Sequence, residues 1–220
     1  MSDKTSTLKK PIKNGKKFFL LYSAAFLVCA ALCYFWFIIN KKGGFIMSKK
    51  LLVVVDYQND FVDGALGFEK APTIAPYIIS LVKKYEEEGE DVWFTKDTHF
   101  NNYLETQEGK NLPVPHCITQ TKGHELYGEL QSLGRNHKII EKTTFPSLTL
   151  ANQLKDTAYE EIRVVGVVTD ICVISNCIMI KSALPEAVIE VDTKGCASFD
   201  ENLEKAALTV LEKSLQIKVI

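Results

Sequence analysis

The chain has 220 residues, of which 46% are apolar, and a formal net charge of -1; this is enough to fill one α/β core and leaves little for a second domain. The near-neutral total conceals a split, because residues 1–46 hold eight lysines against Asp3, a net +7, which leaves -8 from Met47 onward. A part that acidic argues against nucleic acid as a partner, and the six cysteines (29, 33, 117, 172, 177 and 196) lack the spacing of a disulfide framework.

Residues 18–39 form a run of 22 without charge, bracketed by Lys16 and Lys17 before it and by Lys41 and Lys42 after it. The run predicts one transmembrane helix: it is too long for the core of a secretory signal, and no small-residue cleavage site follows it. Lysines outnumber those beyond the span six to four in the near flanks, which puts the amino end in the cytoplasm. A competing reading starts the product at Met47, where Ser48-Lys49-Lys50 leads straight into a strand. Lys42-Gly43-Gly44 can be encoded by a purine run resembling a bacterial ribosome-binding site, a few nucleotides upstream of that Met codon. The first reading makes a single-pass membrane protein. The second makes 1–46 an upstream extension and the 47–220 product cytoplasmic.

Residues 51–55 are an unbroken β-branched and apolar run, which predicts a strand covered on both faces. Helical spacing follows over 71–88 and stops at Gly89. Further strands are predicted at 91–95, 138–141, 163–168, 187–191 and 217–220, with helices at 124–133, 148–156 and 201–213 and another beginning around Cys172. Strict alternation predicts a three-layer α/β/α domain with a mainly parallel six-stranded sheet. Chemistry in such sheets collects at the carboxyl ends of the strands.

Four strand ends carry polar residues: Asp56 after the first, Asp97 and His99 after the second, Lys142 after the third and Cys172 after the fourth. Thr169 and Asp170 are good N-cap residues, so Cys172 is expected in the first turn of a helix, whose free N–H groups and dipole favour a thiolate and could hold an oxyanion. The alternative is a cysteine that is merely buried. Asp56, emerging from a buried strand, suits proton relay, or else caps a turn. Lys142 matters only if it stands beside both. Asp97 and His99, at i and i+2, share a side of their strand end. The long loop beyond them contains Glu105, Glu108 and Leu112-Pro113-Val114-Pro115-His116, where the prolines fix the approach to His116. Two histidines and two carboxylates make an N/O set for zinc, iron or manganese, with positions left for water or substrate. Cys117 points away from its neighbour His116 and is not counted a ligand; His124 and His137 read as structural.

Taken together, Asp56-Tyr57-Gln58-Asn59-Asp60-Phe61, Lys96-Asp97-Thr98-His99, Pro115-His116-Cys117, Lys142 and Gly166-Val167-Val168-Thr169-Asp170-Ile171-Cys172 resemble the isochorismatase-like cysteine hydrolases, and within them the nicotinamidases. The resemblance covers about residues 48–220. It implies an Asp56, Lys142 and Cys172 triad, an oxyanion site at the backbone N–H groups of Val168 and Cys172, and a cis bond between Val167 and Val168. It also implies a divalent metal, zinc foremost, on Asp97, His99, Glu108 and His116, with Glu108 preferred to Glu105. Phe61 and Val167 would line the substrate pocket. Leu112 and Val114 stand where the family usually carries an aromatic residue.

The activity so implied is hydrolysis of nicotinamide, or of a pyrazinamide-like amide, to the acid and ammonia, a step of NAD salvage. Isochorismatase chemistry is disfavoured because those relatives lack the thiol. The alternatives are a sibling amidohydrolase acting on a ureido or carbamoyl amide, and a membrane-tethered binding protein without turnover. The expected partner is a small-molecule amide, and the sequence is compatible with a homo-oligomer.

Overall fold

The computed structural model describes residues 49–220, so the expected span at 18–39 and the start at Met47 lie outside the described residues. Among the described residues no helix is long and apolar enough to cross a membrane. Strands β1 (Lys49–Val55), β2 (Asp91–Asp97), β3 (Lys138–Lys142), β4 (Tyr159–Val167), β5 (Val188–Ala197) and β6 (Lys218–Val219) form one sheet in the order β3-β2-β1-β4-β5-β6. Every neighbouring pair is parallel. The longer helices are α1 (Ala75–Glu88), α2 (Leu148–Leu154), α3 (Ile174–Ala183) and α4 (Glu201–Lys213).

β1 shows why its sequence lacks polar alternation. Leu52 and Val54 pack on one face with Ile78, Val82 and Tyr85 of α1. Leu51, Val53 and Val55 pack on the other with Leu150 and Leu154 of α2, Cys177 and Ile180 of α3 and Leu211 of α4. Both faces are dry, so every position is apolar. α1 stops at Gly89, whose left-handed φ of 71° lets its N–H close on the carbonyls of Tyr85 and Glu86.

The chain runs outward from β1 to β2 and β3, then crosses back to lay β4 on the other side of β1. The crevice at the carboxyl ends of β1 and β4 is therefore the switch point, where open α/β sheets bind ligands. The two strands approach closely there: at Gly166 (φ +123°) a Cβ would stand 2.1 Å from the Val55 carbonyl oxygen.

Three local expectations are corrected. Residues 124–133 are not one helix: a 3-10 turn at Lys122–His124 and a four-residue helix at Leu130–Leu133 flank an extended stretch. That stretch pairs with the segment after β1, through Asn59 N–H to Glu125 O at 3.0 Å and Tyr127 N–H to Tyr57 O at 2.9 Å, so tertiary pairing overrides local helical spacing. The segment after β2 contains short turns at Tyr103–Glu105 and Gln107–Asn111. β5 continues past Val191 to Ala197, through Asp192 and Lys194, because a register shift against β4 lets the ladder resume at Cys196.

Candidate active site

The polar strand ends converge. Asp56 follows β1 with a left-handed φ of 48°, a conformation Asp tolerates better than most residues. Asp97 and Lys142 end β2 and β3 and are register partners. Cys172 lies in the turn after β4. The Lys142 ammonium is 2.7 Å from Asp56 Oδ2, 3.2 Å from Asp97 Oδ1 and 3.8 Å from Cys172 Sγ, and it donates to the Thr144 carbonyl at 3.0 Å. All four side chains are buried.

The two oxygens of Asp56 differ. Thr95 Oγ1 donates to Oδ1 at 2.7 Å. Oδ2 is fully buried and accepts no aligned hydrogen bond, although the lysine is near; that contact is an ion pair outside hydrogen-bonding angle, and Oδ2 keeps a lone pair for a proton. Burial raises the Asp56 pKa; Lys142 works against this and the Asp97 charge adds to it, leaving a carboxylate more basic than usual. Burial weighs against the Lys142 charge, but Asp56, Cys172 and Asp97 more than restore it, so the ammonium persists.

Cys172 lies in the first turn of the helical run after β4, as expected, but without the expected caps. Thr169 and Asp170 cap nothing: Thr169 Oγ1 donates to Glu204 Oε1 at 3.0 Å, and Asp170 Oδ1 accepts from Ser198 Oγ at 2.5 Å. Thr169–Val173 is a wide π-type turn in which the Val168 carbonyl accepts the N–H groups of Ile171 and Val173, on either side of Cys172. The Val167–Val168 peptide bond is cis, as the resemblance implies. Burial holds the Cys172 pKa well above the ordinary thiol range; Lys142 lowers it, but the charges of Asp56 and Asp97 raise it again.

Beside this trio, Asp97, His99, Glu108 and His116 each offer one ligand atom, and the four atoms lie within 4.8 Å of one another. Asp97 Oδ2 is 2.9 Å from His99 Nε2 and 3.4 Å from His116 Nε2. Glu108 Oε1 is 3.5 and 3.8 Å from the same nitrogens. Glu105 is not in the group. Two imidazole nitrogens and two carboxylate oxygens suit a borderline divalent ion. His116 Nδ1 donates to the Val114 carbonyl at 2.8 Å, which turns Nε2 toward the cluster. Burial raises the Asp97 pKa, but hydrogen bonds from His116 and His99 and the charge of Lys142 outweigh it and hold the carboxyl well below its usual range. Burial lowers the His99 pKa, yet bonding to Asp97 and Glu108 lifts it to about 9.

Both groups open on a cavity of about 390 Å³, whose wall includes Phe61, Phe68, Leu112, Phe145 and Phe199 and whose polar end carries Cys172, Asp97, Glu108 and His116. Phe61 meets the His116 ring edge-on at 5.4 Å. Val168 lines the cavity. Val167 does not: it is fully buried in the core on the α1 side, so its expected place in the substrate pocket is corrected.

Three further residues support the site. Gln58 accepts from Asp97 N–H at 2.7 Å and donates to the Asp97 carbonyl at 2.9 Å, fixing that backbone. Asp60 accepts from Cys117 N–H at 2.7 Å, beside His116. The Tyr103 ring packs at a tilt 4.7 Å from the His99 ring and edge-on 5.1 Å from that of His116, and its hydroxyl donates to the Leu112 carbonyl at 2.9 Å. Gln58 and Asp60 lie inside a quoted motif; Tyr103 had only its place in the long loop to mark it.

Residues 50–219 match the isochorismatase domain family. The chain is 33% identical over 139 residues to the uncharacterized isochorismatase family protein PncA of Bacillus subtilis, which covers 58% of this chain and 75% of that protein. Among solved structures, the nicotinamidase PncA from Bacillus subtilis superposes with a TM-score of 0.70 at 31% identity, covering 78% of this chain and 98% of its own. The pyrazinamidase of Pyrococcus horikoshii in complex with zinc gives 0.69 at 25%, with 78% and 98% covered.

Proposed function

From the premise that this chain belongs to the isochorismatase family, we propose that it is a nicotinamidase-type amidohydrolase, converting nicotinamide and water to nicotinate and ammonia. One observation carries the reading: a buried ammonium, Lys142, within 2.7 Å of the Asp56 carboxylate and 3.8 Å of the Cys172 thiol, which opens on an apolar cavity beside a four-donor N/O cluster. Similarity to the nicotinamidase from Bacillus subtilis supports it.

In this reading Asp56 Oδ2 takes the proton of the Cys172 thiol, and Lys142 holds the carboxylate and sulfur together while the charge moves. The sulfur attacks the carboxamide carbon, and the N–H groups of Val168 and Cys172 receive the oxygen's developing charge. Asp56 returns the proton to the nitrogen, the C–N bond breaks and ammonia leaves a thioester. Water, giving a proton to Asp56, attacks that thioester and releases nicotinate; the proton returns to sulfur. Asp97, His99, Glu108 and His116 would hold a divalent ion, zinc by likeness to the Pyrococcus horikoshii complex. When bound, that ion supplies a Lewis-acidic anchor for a pyridine nitrogen. Phe61 gives the ring an apolar wall. For residues 18–39 the proposal is a membrane span if synthesis starts at Met1 and an upstream extension if it starts at Met47; intact mass tells the two starts apart.

The test is ammonia release from nicotinamide and from a ureido amide, before and after chelation, with Cys172→Ala as control. Nicotinamide turnover that is lost on chelation, returns with zinc and falls at least about 1,000-fold in the variant is expected. Chelation-insensitive turnover of the ureido amide, or a cellular effect unchanged by Cys172→Ala, overturns the reading.

A further inference from the structure

Outside the triad and the donor cluster, one buried carboxylate joins two parts of the cavity that the sequence keeps far apart. Glu204, in the first turn of α4, is itself buried. Its Oε1 accepts from Thr169 Oγ1 at 3.0 Å, and its Oε2 pairs with Lys70 Nζ at 2.7 Å. Thr169 is fully buried and directly follows Val168, which lines the cavity and forms the cis bond. Lys70 closes the segment that supplies Ala65, Leu66, Gly67 and Phe68 to the cavity wall. Two further contacts tie the same three segments: Phe68 meets Phe199 edge-on at 5.9 Å, and Ser198 donates to Asp170.

We propose that Glu204 is a positioning residue that clamps the wall segment 65–70 onto the Cys172 turn, so that the apolar wall closes on bound substrate at a fixed distance from the nucleophile. The two oxygens divide the task. The Thr169 bond fixes the turn that presents sulfur and the Val168 amide, and the Lys70 pair fixes the wall. Lys70 is nearly half exposed and its ion pair contributes little to global stability. Its effect is local: a wall free to move away gives up contacts with the ring, which are substrate binding rather than chemistry. This rests on the proposed amidohydrolase reading, and deepens it.

The test uses the full chain with Glu204→Gln, Lys70→Met, their double variant and Thr169→Val. Glu204→Gln keeps an oxygen acceptor for Thr169 and removes the ion pair. It is expected to raise KM for nicotinamide about fivefold with kcat within about twofold, and Lys70→Met is expected to match it. The double variant should be no worse than either single one, because both remove one contact. Thr169→Val should instead lower kcat about tenfold. Alkylation of Cys172 by a maleimide, located by peptide mass spectrometry, should quicken in the first three variants whatever the substrate. Additive effects in the double variant, or lowered Tm with unchanged KM, kcat and alkylation rate, would refute the clamp. If the wild-type chain leaves nicotinamide intact, the amidohydrolase reading fails, and the alkylation rates alone decide on Glu204.

Discussion

Asp97 Oδ1 lies 3.2 Å from the Nζ of Lys142, its register partner on the adjacent strand, while Oδ2 of the same carboxylate lies 2.9 Å from His99. One side chain thus belongs to both halves of the site. Removing its charge is expected to disturb both: Asp97→Asn should retain little of any divalent metal that the parent carries, measured by elemental analysis, and lower kcat/KM by about 100-fold or more. Full metal content with unchanged turnover would show that Asp97 serves neither half.

Lys142 is a cation with 2% side-chain exposure, pressed between two buried carboxylates. Lys142→Met leaves Asp56 and Asp97 facing each other without a counter-charge. Breaking a buried ion pair from one side costs about 3–5 kcal/mol, so urea unfolding should show a loss of that order together with loss of ammonia release. A variant as stable as the parent would mean that Asp56 takes up a proton at little cost, and its activity would then identify the base.

The contrast between legible and illegible parts is physical. Strand β1 was visible because two dry faces force five consecutive apolar residues, which Asp56 ends; Asp97 and Lys142 follow Lys96 and Glu141 rather than an apolar run, and the family resemblance is what joined them with Cys172. Glu108 was separable from Glu105 only through the family's spacing; the short helix Gln107–Asn111, opened by the Thr106 side chain accepting from Gly109 N–H, is what turns it toward the histidines. Thr169 and Asp170 misled because their side chains are drawn to Glu204 and Ser198, 35 and 28 residues away. No local spacing encodes such partners.

Asn176 illustrates the same point and yields a prediction. It is fully buried on α3, donates to the Cys172 carbonyl at 2.8 Å and the Phe145 carbonyl at 3.1 Å, and accepts from Ser147 N–H at 2.9 Å. It thereby fastens the loop after β3, which brings Phe145 to the cavity, to the turn carrying the nucleophile. Asn176→Leu fills similar space but leaves these backbone groups unpaired, at about 1–3 kcal/mol for each that water cannot reach. A fall in Tm together with a rise in KM is expected; an unchanged Tm would show that water replaces all three bonds.

Gly166 sets the distance between the two strands that carry Asp56 and Cys172. Its φ of +123° lies where L side chains are rarely found, and a Cβ would stand 2.1 Å from Val55 O and 2.7 Å from Val55 N. Neither atom can move without separating β1 from β4, because Val55 and Gly166 are register partners. Gly166→Ala therefore combines backbone strain with a steric clash, together about 3 kcal/mol or more. It should lower the urea midpoint and weaken contact between base and thiol, so the chain that remains folded should turn over more slowly. Measuring active sites by Cys172 alkylation separates the effects. A kcat per folded chain equal to the parent's would mean that the close approach of β1 and β4 serves stability alone, and a midpoint unchanged within error would mean that the strands part freely at this point.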